Sequence, residues 1–292
     1  MNTAIEAETL VPGCLYVVAT PIGNLGDISP RALQVLAMVD AICAEDTRMT
    51  GPLLAHFGIG KPLKALHEHN EAKITAELIS QLQAGRTLAL VSDAGTPLVS
   101  DPGYALVRAA REAGLAVMTV PGPCAVTAAL SIAGLPTDEF TFAGFLPARS
   151  GPRRARLQAL AMETRTWVIY EAPHRILECA EDLANAVGSE RRVFIGRELT
   201  KRFEQSVQLP AGALLDWLRA DANRQRGEFV LAVAGQPASS TASTFDAQTL
   251  MRALLTELPP AKAARIAASL TGEKRQQLYQ MALQLGGASD SD

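Results

Sequence analysis

Apolar positions fall in short continuous runs over the first 121 residues, and each run ends in a loop of polar, proline and glycine residues. Residues 15–19, 39–44, 87–91 and 115–120 are apolar and partly β-branched, with the length of buried strands. Between them the spacing becomes helical. Leu33, Leu36 and Val39 follow Ser29-Pro30, a capping hydroxyl with proline at the first turn. Asp101-Pro102 repeats that device, and Gly114 is placed to close the helix it predicts. Strand alternating with helix predicts βαβ units and a largely parallel sheet.

A second α/β block extends to about residue 235. Its expected strands are 167–170, 192–195 and 229–234, with a helix over 176–186. Residues 236–244, rich in Ser, Thr, Ala and Pro, read as a linker. Helices are expected at 261–270 and 273–285 around a Thr271-Gly272 turn, with Leu278, Met281, Ala282 and Leu285 on one apolar face. Residues 286–292 are expected to fray. The expected domains are 1–121, 122–237 and a helical tail over 238–292.

The loops carry the candidate chemistry. Residues 92–103 contain two prolines and two glycines, and Asp93 stands just where its strand ends. Thr20-Pro21-Ile22-Gly23-Asn24-Leu25-Gly26-Asp27, Glu45-Asp46-Thr47-Arg48 and Pro121-Gly122-Pro123-Cys124-Ala125 close the other three runs. Open α/β sheets bind ligands outside the carboxyl ends of their strands, so four such loops predict a shared cleft. The familiar nucleotide signatures are absent. No G-x-G-x-x-G follows the first run, Gly58-Ile59-Gly60-Lys61 fails the phosphate-loop pattern, and no G-x-S-x-G elbow occurs.

Composition narrows the class. The 292 residues are 48% hydrophobic and 20% charged, enough to bury a sizeable core in one large domain or two small ones. The net charge of −3 gives no global field for nucleic acid. Four cysteines without a C-x-x-C pair argue against zinc and redox motifs and fit a reducing cytoplasm. Glu6 and Glu8 stand where a signal peptide carries basic residues, so none is expected, and no apolar run approaches a membrane span. Local charge differs from the whole: residues 149–202 hold eleven Lys/Arg against seven Asp/Glu. Arg149, Arg153, Arg154 and Arg156 cluster where a helix opens, and Lys201 and Arg202 add to them. Arginine forks suit phosphates, although a solvated helix face gives the same pattern. Arg252, Lys262, Arg265, Lys274 and Arg275 decorate the tail.

These loops, with His67-Glu68-His69-Asn70, Glu171-Ala172-Pro173-His174-Arg175 and Arg197-Glu198-Leu199-Thr200-Lys201, resemble the ribosomal RNA small-subunit methyltransferase I family of the tetrapyrrole methylase superfamily. The likeness runs over residues 13–235, and the tail resembles that family's C-terminal helix-turn-helix. It implies two α/β domains with S-adenosylmethionine in the cleft between them, and a homodimer. It further implies 2′-O-methylation of a cytidine ribose in 16S rRNA near the decoding centre. By that resemblance Pro21, Ser92, Asp93, Gly95, Thr96, Cys124, Ala125, Tyr170, Glu171, Phe229 and Val230 touch the cofactor. The first loop is poorer in glycine than that of the corrin-forming branch.

A ribose hydroxyl is a poor nucleophile and calls for a base as the new bond forms. Glu45, Asp46, His67 and His69 are candidates. Asp46 or Thr47 equally suits a helix cap, and the histidines equally suit structural hydrogen bonds. His67-x-His69 lacks a third metal ligand, and no metal is expected. Nothing beside Cys124 would activate its thiol. Two other readings remain open: methylation of a tetrapyrrole or other small molecule, and a non-catalytic RNA-binding assembly factor. The basic loop and the helical tail argue against a small substrate.

Overall fold

The computed structural model describes residues 9–67, 70–237 and 247–286. They form two compact units, Met1–Gly235 and Gln236–Asp292.

The first unit holds two five-stranded sheets. One contains β1 (Leu15–Val18), β2 (Ala41–Ala44), β3 (Leu63–Ala65), β4 (Leu88–Val91) and β5 (Val117–Val120), in the order β3-β2-β4-β1-β5. Every pair in it is parallel, as the alternating pattern predicts. Side chains alternate between two cores, as the strand period of two requires. Tyr16, Val18, Ile42, Ala44, Ala89 and Val91 pack on one face with α1 (Pro30–Met38). Leu15, Cys43, Leu88 and Leu90 pack on the other with α3 (Glu71–Gln83) and α4 (Tyr104–Glu112). Ser29 caps α1 as expected, its Oγ accepting the Ala32 amide at 3.0 Å. Asp46 caps α2 (Thr47–His56) by accepting the Arg48 amide at 2.8 Å.

The Asp101-Pro102 start is displaced. Helix α4 begins only at Tyr104, and its N-cap is Gly103 at φ +123°. A Cβ on Gly103 would stand 2.7 Å from Leu90 Cδ2, so the turn needs a residue without one. Asp101 and Pro102 therefore stay in the loop. Gly114, at φ +70°, follows the helix end as expected.

The chain then enters α5 (Ala125–Ala133) and the second sheet. That sheet contains β6 (Phe140–Phe145), β7 (Thr166–Glu171), β8 (Arg192–Arg197), β9 (Gln205–Pro210) and β10 (Phe229–Val233), in the order β6-β7-β10-β8-β9. Only β6 and β7 are parallel; the other pairs are antiparallel. Trp167, Ile169, Val193, Ile195 and Leu231 face the core under α6 (Ser150–Ala161), α7 (Ile176–Val187) and α8 (Ala211–Arg219). Val168, Phe194, Val230 and Ala232 face α5 through Val126, Ala129 and Leu130.

The tail has its own core. Helices α9 (Ala247–Leu255), α10 (Pro260–Thr271) and α11 (Arg275–Gly286) bury Met251, Ala263, Ala264, Ala267, Leu278 and Ala282. Gly272, at φ +70°, ends α10 in the expected turn. Residues 238–244 of the expected linker, with 245 and 246, and residues 287–292 of the expected frayed end lie outside the described residues. Among the described residues no helix is long and apolar enough to cross a membrane.

Candidate active site

The four loops at the carboxyl ends of the parallel strands are tied to one another. Thr20 and Gly95 exchange two backbone hydrogen bonds, of 2.9 and 3.1 Å, and Thr20 Oγ1 donates to the Ser92 carbonyl at 3.2 Å. Thr96 Oγ1 donates to the Pro123 carbonyl at 3.0 Å. The Asp46 amide donates to Asp93 Oδ1 at 3.0 Å. Residues separated by up to about a hundred positions are thus held as one rim. The loop of residues 97–102 is conformationally demanding, because Leu98 and Ser100 both have positive φ, +71° and +73°.

Behind that rim lies a cavity of about 480 Å³ between the two sheets, within the range of small-molecule sites. The first sheet's loops contribute Ile22, Glu45, Asp93, Gly95, Thr96 and Asp101, and α5 contributes its N-terminal residues Cys124 and Ala125. The second sheet contributes Phe145, Tyr170, Glu171, Phe229 and Val230 from its strand ends. Gly95 has φ +83°, and a Cβ there would stand 3.2 Å from Ile22 Cγ2. The Cys124 side chain makes no cap bond at the N-terminus of α5, and the Tyr170 hydroxyl from the opposite wall accepts the Val126 amide of its first turn.

The cavity is acidic. Burial pushes the Asp101 carboxyl up to about 6, a hydrogen bond from Ser92 opposes it, and the charge of Asp93 adds to it. Burial raises Glu45 as well, with Asp101 and Asp93 repelling its charge. Asp93 is raised by burial too, against the hydrogen bond from the Asp46 amide. Three carboxyl groups that resist ionisation together make a site that favours a cationic ligand.

The sequence-expected residues divide by position. Asp93, Gly95, Thr96, Cys124, Ala125, Tyr170, Glu171, Phe229 and Val230 line the cavity together. Pro21 and Ser92 do not. Ile22 takes the place expected of Pro21, and Ser92 is buried beneath its loop, its hydroxyl oxygen 3.4 Å from the carbonyls of Ala94 and Gly95. One oxygen of the Glu171 carboxylate is committed to the wall: Oε1 pairs with Arg175 at 2.6 Å and accepts the Ala172 amide at 2.7 Å, while Oε2 is buried without a hydrogen-bond partner among the described residues. Cys124 is half-buried, whereas Cys14, Cys43 and Cys179 are buried free thiols.

Of the candidate bases among the described residues, only Glu45 lines the cavity. Asp46 faces outward, held by Arg48 in a paired contact down to 2.6 Å that keeps its carboxyl at about 2. It caps α2 and offers the site its backbone amide rather than its side chain. His67 lies outside the lining, its amide donating to Asn70 Oδ1 at 2.9 Å, and His69 is outside the described residues. Asp101, not singled out as a base from sequence, lines the cavity.

The expected RNA-binding arginines also divide. Arg149, Arg154, Arg156 and Arg202 are exposed. Arg153 is not a surface cation. It is 2% exposed, donates to Asp182 Oδ2 at 2.7 Å and reaches Glu178 at 3.0 Å, tying α6 to α7. Asp182 also accepts from Arg154 at 2.7 Å. Lys201 bridges Glu198 and Glu228 at 2.9 and 2.8 Å, its stem lying over Gly23.

A parallel sheet and a mixed sheet that share a cavity at the first sheet's strand ends define the tetrapyrrole methylase fold. The profile of the tetrapyrrole (corrin/porphyrin) methylases matches residues 14–215. Solved structures agree: uroporphyrin-III C-methyltransferase from Thermus thermophilus has a TM-score of 0.54 at 23% identity, covering 76% of this chain and 94% of that one. Diphthine synthase has a TM-score of 0.56 at 15% identity, covering 76% and 89%. At such identities the likeness shows the fold alone. The profile of the RsmI C-terminal HTH domain matches residues 241–286. The ribosomal RNA small subunit methyltransferase I of Pseudomonas aeruginosa is 54% identical over 279 residues, covering 95% of this chain and 99% of that protein. Its namesake in Escherichia coli O157:H7 is 52% identical over 275 residues, covering 94% and 96%. The chain belongs to the ribosomal RNA small subunit methyltransferase I family.

Proposed function

We propose that this protein carries a methyl group from S-adenosylmethionine to the ribose 2′-hydroxyl of a cytidine in small-subunit ribosomal RNA near the decoding centre. The observation that carries the reading is the acidic cavity between the sheets, with Glu45, Asp93 and Asp101 on its wall. The names of the relatives supply the substrate class. We place the protein in the cytoplasm as a homodimer, with residues 1–121 and 122–237 as the two halves of the cofactor cleft and 238–292 as an appended helix-turn-helix.

The residues present fit the cofactor. Its cationic groups suit the three carboxyls, its carboxylate suits the positive N-terminal end of α5 at Cys124 and Ala125, and its rings suit the apolar surface of Ile22, Phe229 and Val230. When bound, it supplies an electrophilic methyl carbon on a positively charged sulfur. Gly95, which could not accept a Cβ without pressing on Ile22, lets the rim approach a ligand closely. The second wall, from Tyr170 to Phe229, excludes water from the other side.

The remaining chemistry is a proton. Asp101, titrating at about 6, is ionised at neutral pH yet basic enough to take the 2′-hydroxyl proton as the hydroxyl oxygen bonds to carbon. Glu45, raised by burial and by the charges of Asp101 and Asp93, lines the same wall. The exposed Arg149, Arg154 and Arg156 favour an RNA acceptor over a tetrapyrrole, since a small substrate has no use for them.

The test is transfer of labelled methyl from S-adenosylmethionine to small ribosomal subunits lacking the modification, followed by digestion to nucleosides. Label on a cytidine ribose is expected. Label on a base, or none on RNA, ends the proposal.

A further inference from the structure

A second cavity, of about 580 Å³, opens where the β8–β9 loop meets the segment before β10. Its lining includes Arg197, Arg202, Phe203, Arg226, Glu198 and Gly227. Adjacent residues of the same two segments line the active-site cavity: Leu199 beside Glu198, and Glu228 beside Gly227. The two cavities therefore share a wall. Lys201 stiffens it by bridging Glu198 and Glu228, and the Glu198 amide donates to the Glu228 carbonyl at 3.0 Å. Glu198 and Thr200 have positive φ, +51° and +65°, so the loop is held in a turn that side chains rarely adopt.

The charges of this second cavity are unequally committed. Its carboxylates are engaged. Glu198 accepts Lys201 and the Glu228 amide, Glu204 accepts the Thr200 amide at 2.6 Å, and Asp221 accepts the Asn223 amide at 2.8 Å. Its arginines form no ion pair among the described residues. Arg197 is 6% exposed and donates only to neutral oxygens: the Arg226 carbonyl at 2.6 Å, the Phe203 carbonyl at 3.0 Å and Gln205 Oε1 at 3.4 Å. The charge of Arg197 is met through space by Glu198, a carboxylate already shared with Lys201, so an anion in the cavity would add the direct counter-charge that this buried guanidinium lacks. Arg202 and Arg226 are exposed at the mouth. Phe203 stands 64% exposed with the Arg202 guanidinium 5.5 Å from its ring centre. An exposed aromatic ring beside unpaired arginines is the composition of single-stranded nucleic-acid sites, where bases stack and forks hold phosphates.

We infer that this cavity is a nucleotide subsite for the RNA substrate: Arg197, Arg202 and Arg226 take a backbone phosphate of a residue flanking the methylated one, and Phe203 stacks its base. The subsite rests on the proposed function for its ligand. Its neighbour across the Glu198–Lys201–Glu228 wall receives the target ribose, so both would grip one unstacked strand.

Arg197→Ala removes a buried tie between two segments and is expected to unfold the loop, so the test uses Arg226→Ala and Phe203→Ala, both exposed. Affinity of the full chain for a labelled single-stranded RNA carrying the small-subunit target sequence is measured without cofactor, over a range of salt. Each variant is expected to bind about tenfold more weakly. Arg226→Ala is also expected to lower the log–log salt slope by about one, and Phe203→Ala to leave that slope unchanged. Inorganic phosphate in a parallel titration separates a free-anion site from an RNA site: phosphate bound with Arg226-dependent affinity while RNA affinity is unaltered overturns the inference. RNA bound by both variants as by the wild type overturns it too, whatever the methylation assay gives. If the wild type methylates no RNA but loses RNA affinity with both substitutions, the subsite stands and the proposed reaction falls.

Discussion

Asp101 and Asp46 show how placement decides the work of a carboxylate. Asp101 sits in a half-buried loop with Asp93 and Glu45 for neighbours, and its carboxyl is pushed up to about 6. Asp46 lies outside the cavity, partly exposed under an Arg48 fork that holds it at about 2. A base must be ionised to act, so methyl transfer under single-turnover conditions is expected to rise with pH through about 6 and then level off. Because the three carboxyls interact, that midpoint belongs to the cluster. Asp101→Asn is expected to slow transfer by about 100-fold or more and to remove the pH dependence. Stability carries the same signature with opposite sense. The unfolded chain holds this carboxyl near about 3.9, so between about pH 4 and 6 the native state binds more protons, and stability falls as pH rises across that window. Asp101→Asn flattens that slope in thermal melts. Asp46→Asn, which keeps a capping side chain, is expected to transfer methyl within about twofold of wild type, because the side chain it alters is absent from the cavity lining. Asp46→Ala lowers the melting temperature by removing the cap.

At the scale of elements, the buried pair Arg153–Asp182 fastens α6 to α7, with both side chains at most 3% exposed. Removing one partner of such a pair strands the other in the core, and Arg153→Ala is expected to cost about 3–5 kcal/mol in urea unfolding. Arg156→Ala, on the exposed face of the same helix, is expected to leave the urea midpoint within error and to weaken RNA binding instead. Read as a run of charge, the two arginines look alike. Periodicity separates them only in part: Arg153 stands four and seven residues before the buried Leu157 and Leu160, at the middle of that face, whereas Arg156, four before Leu160 but next to Leu157, falls at its margin. The central strands were legible because both faces are covered, so β1, β2 and β4 read as unbroken apolar runs, and the edge strand β5, with Met118 and Thr119 exposed, was legible from its β-branched residues and the Pro-Gly-Pro loop that ends it. Strands at the margins were not. Leu63–Ala65 is three residues long, Gln205–Pro210 alternates polar and apolar side chains at a sheet edge, and Phe140–Phe145 carries a register shift at Gly144. Helix α9 carries only one fully buried residue, Met251, and also escaped notice. The Asp101-Pro102 signal misplaced a helix start because a contact distant in sequence, Gly103 against Leu90, decided where the turn closes.

At the scale of the whole molecule, the site has no owner among the elements. Gly95 and Asp101 come from the end of the first sheet, Ala125 from the helix that follows it, and Tyr170 and Phe229 from the second sheet. The loops that announced the rim were readable because turns after parallel strands need glycine and proline. The opposite wall is made of ordinary strand residues, which carry no local mark, so only the family resemblance pointed to it. A ligand that touches both walls must stabilise the unit that contains them, since it binds the folded form alone. S-adenosylmethionine at about a hundred times its dissociation constant is expected to add about 2.7 kcal/mol to the stability of the full chain, seen as a rise in the melting temperature. Gly95→Ala should blunt that rise. The substitution forces alanine to φ +83° and brings its Cβ within 3.2 Å of Ile22 and 3.6 Å of the Pro123 carbonyl. Both neighbours belong to other loops of the rim, so the disturbance spreads to Thr20 and Thr96, whose hydrogen bonds hold those loops together. An undiminished thermal shift in Gly95→Ala would mean that the cofactor is gripped elsewhere and that the rim serves the acceptor alone.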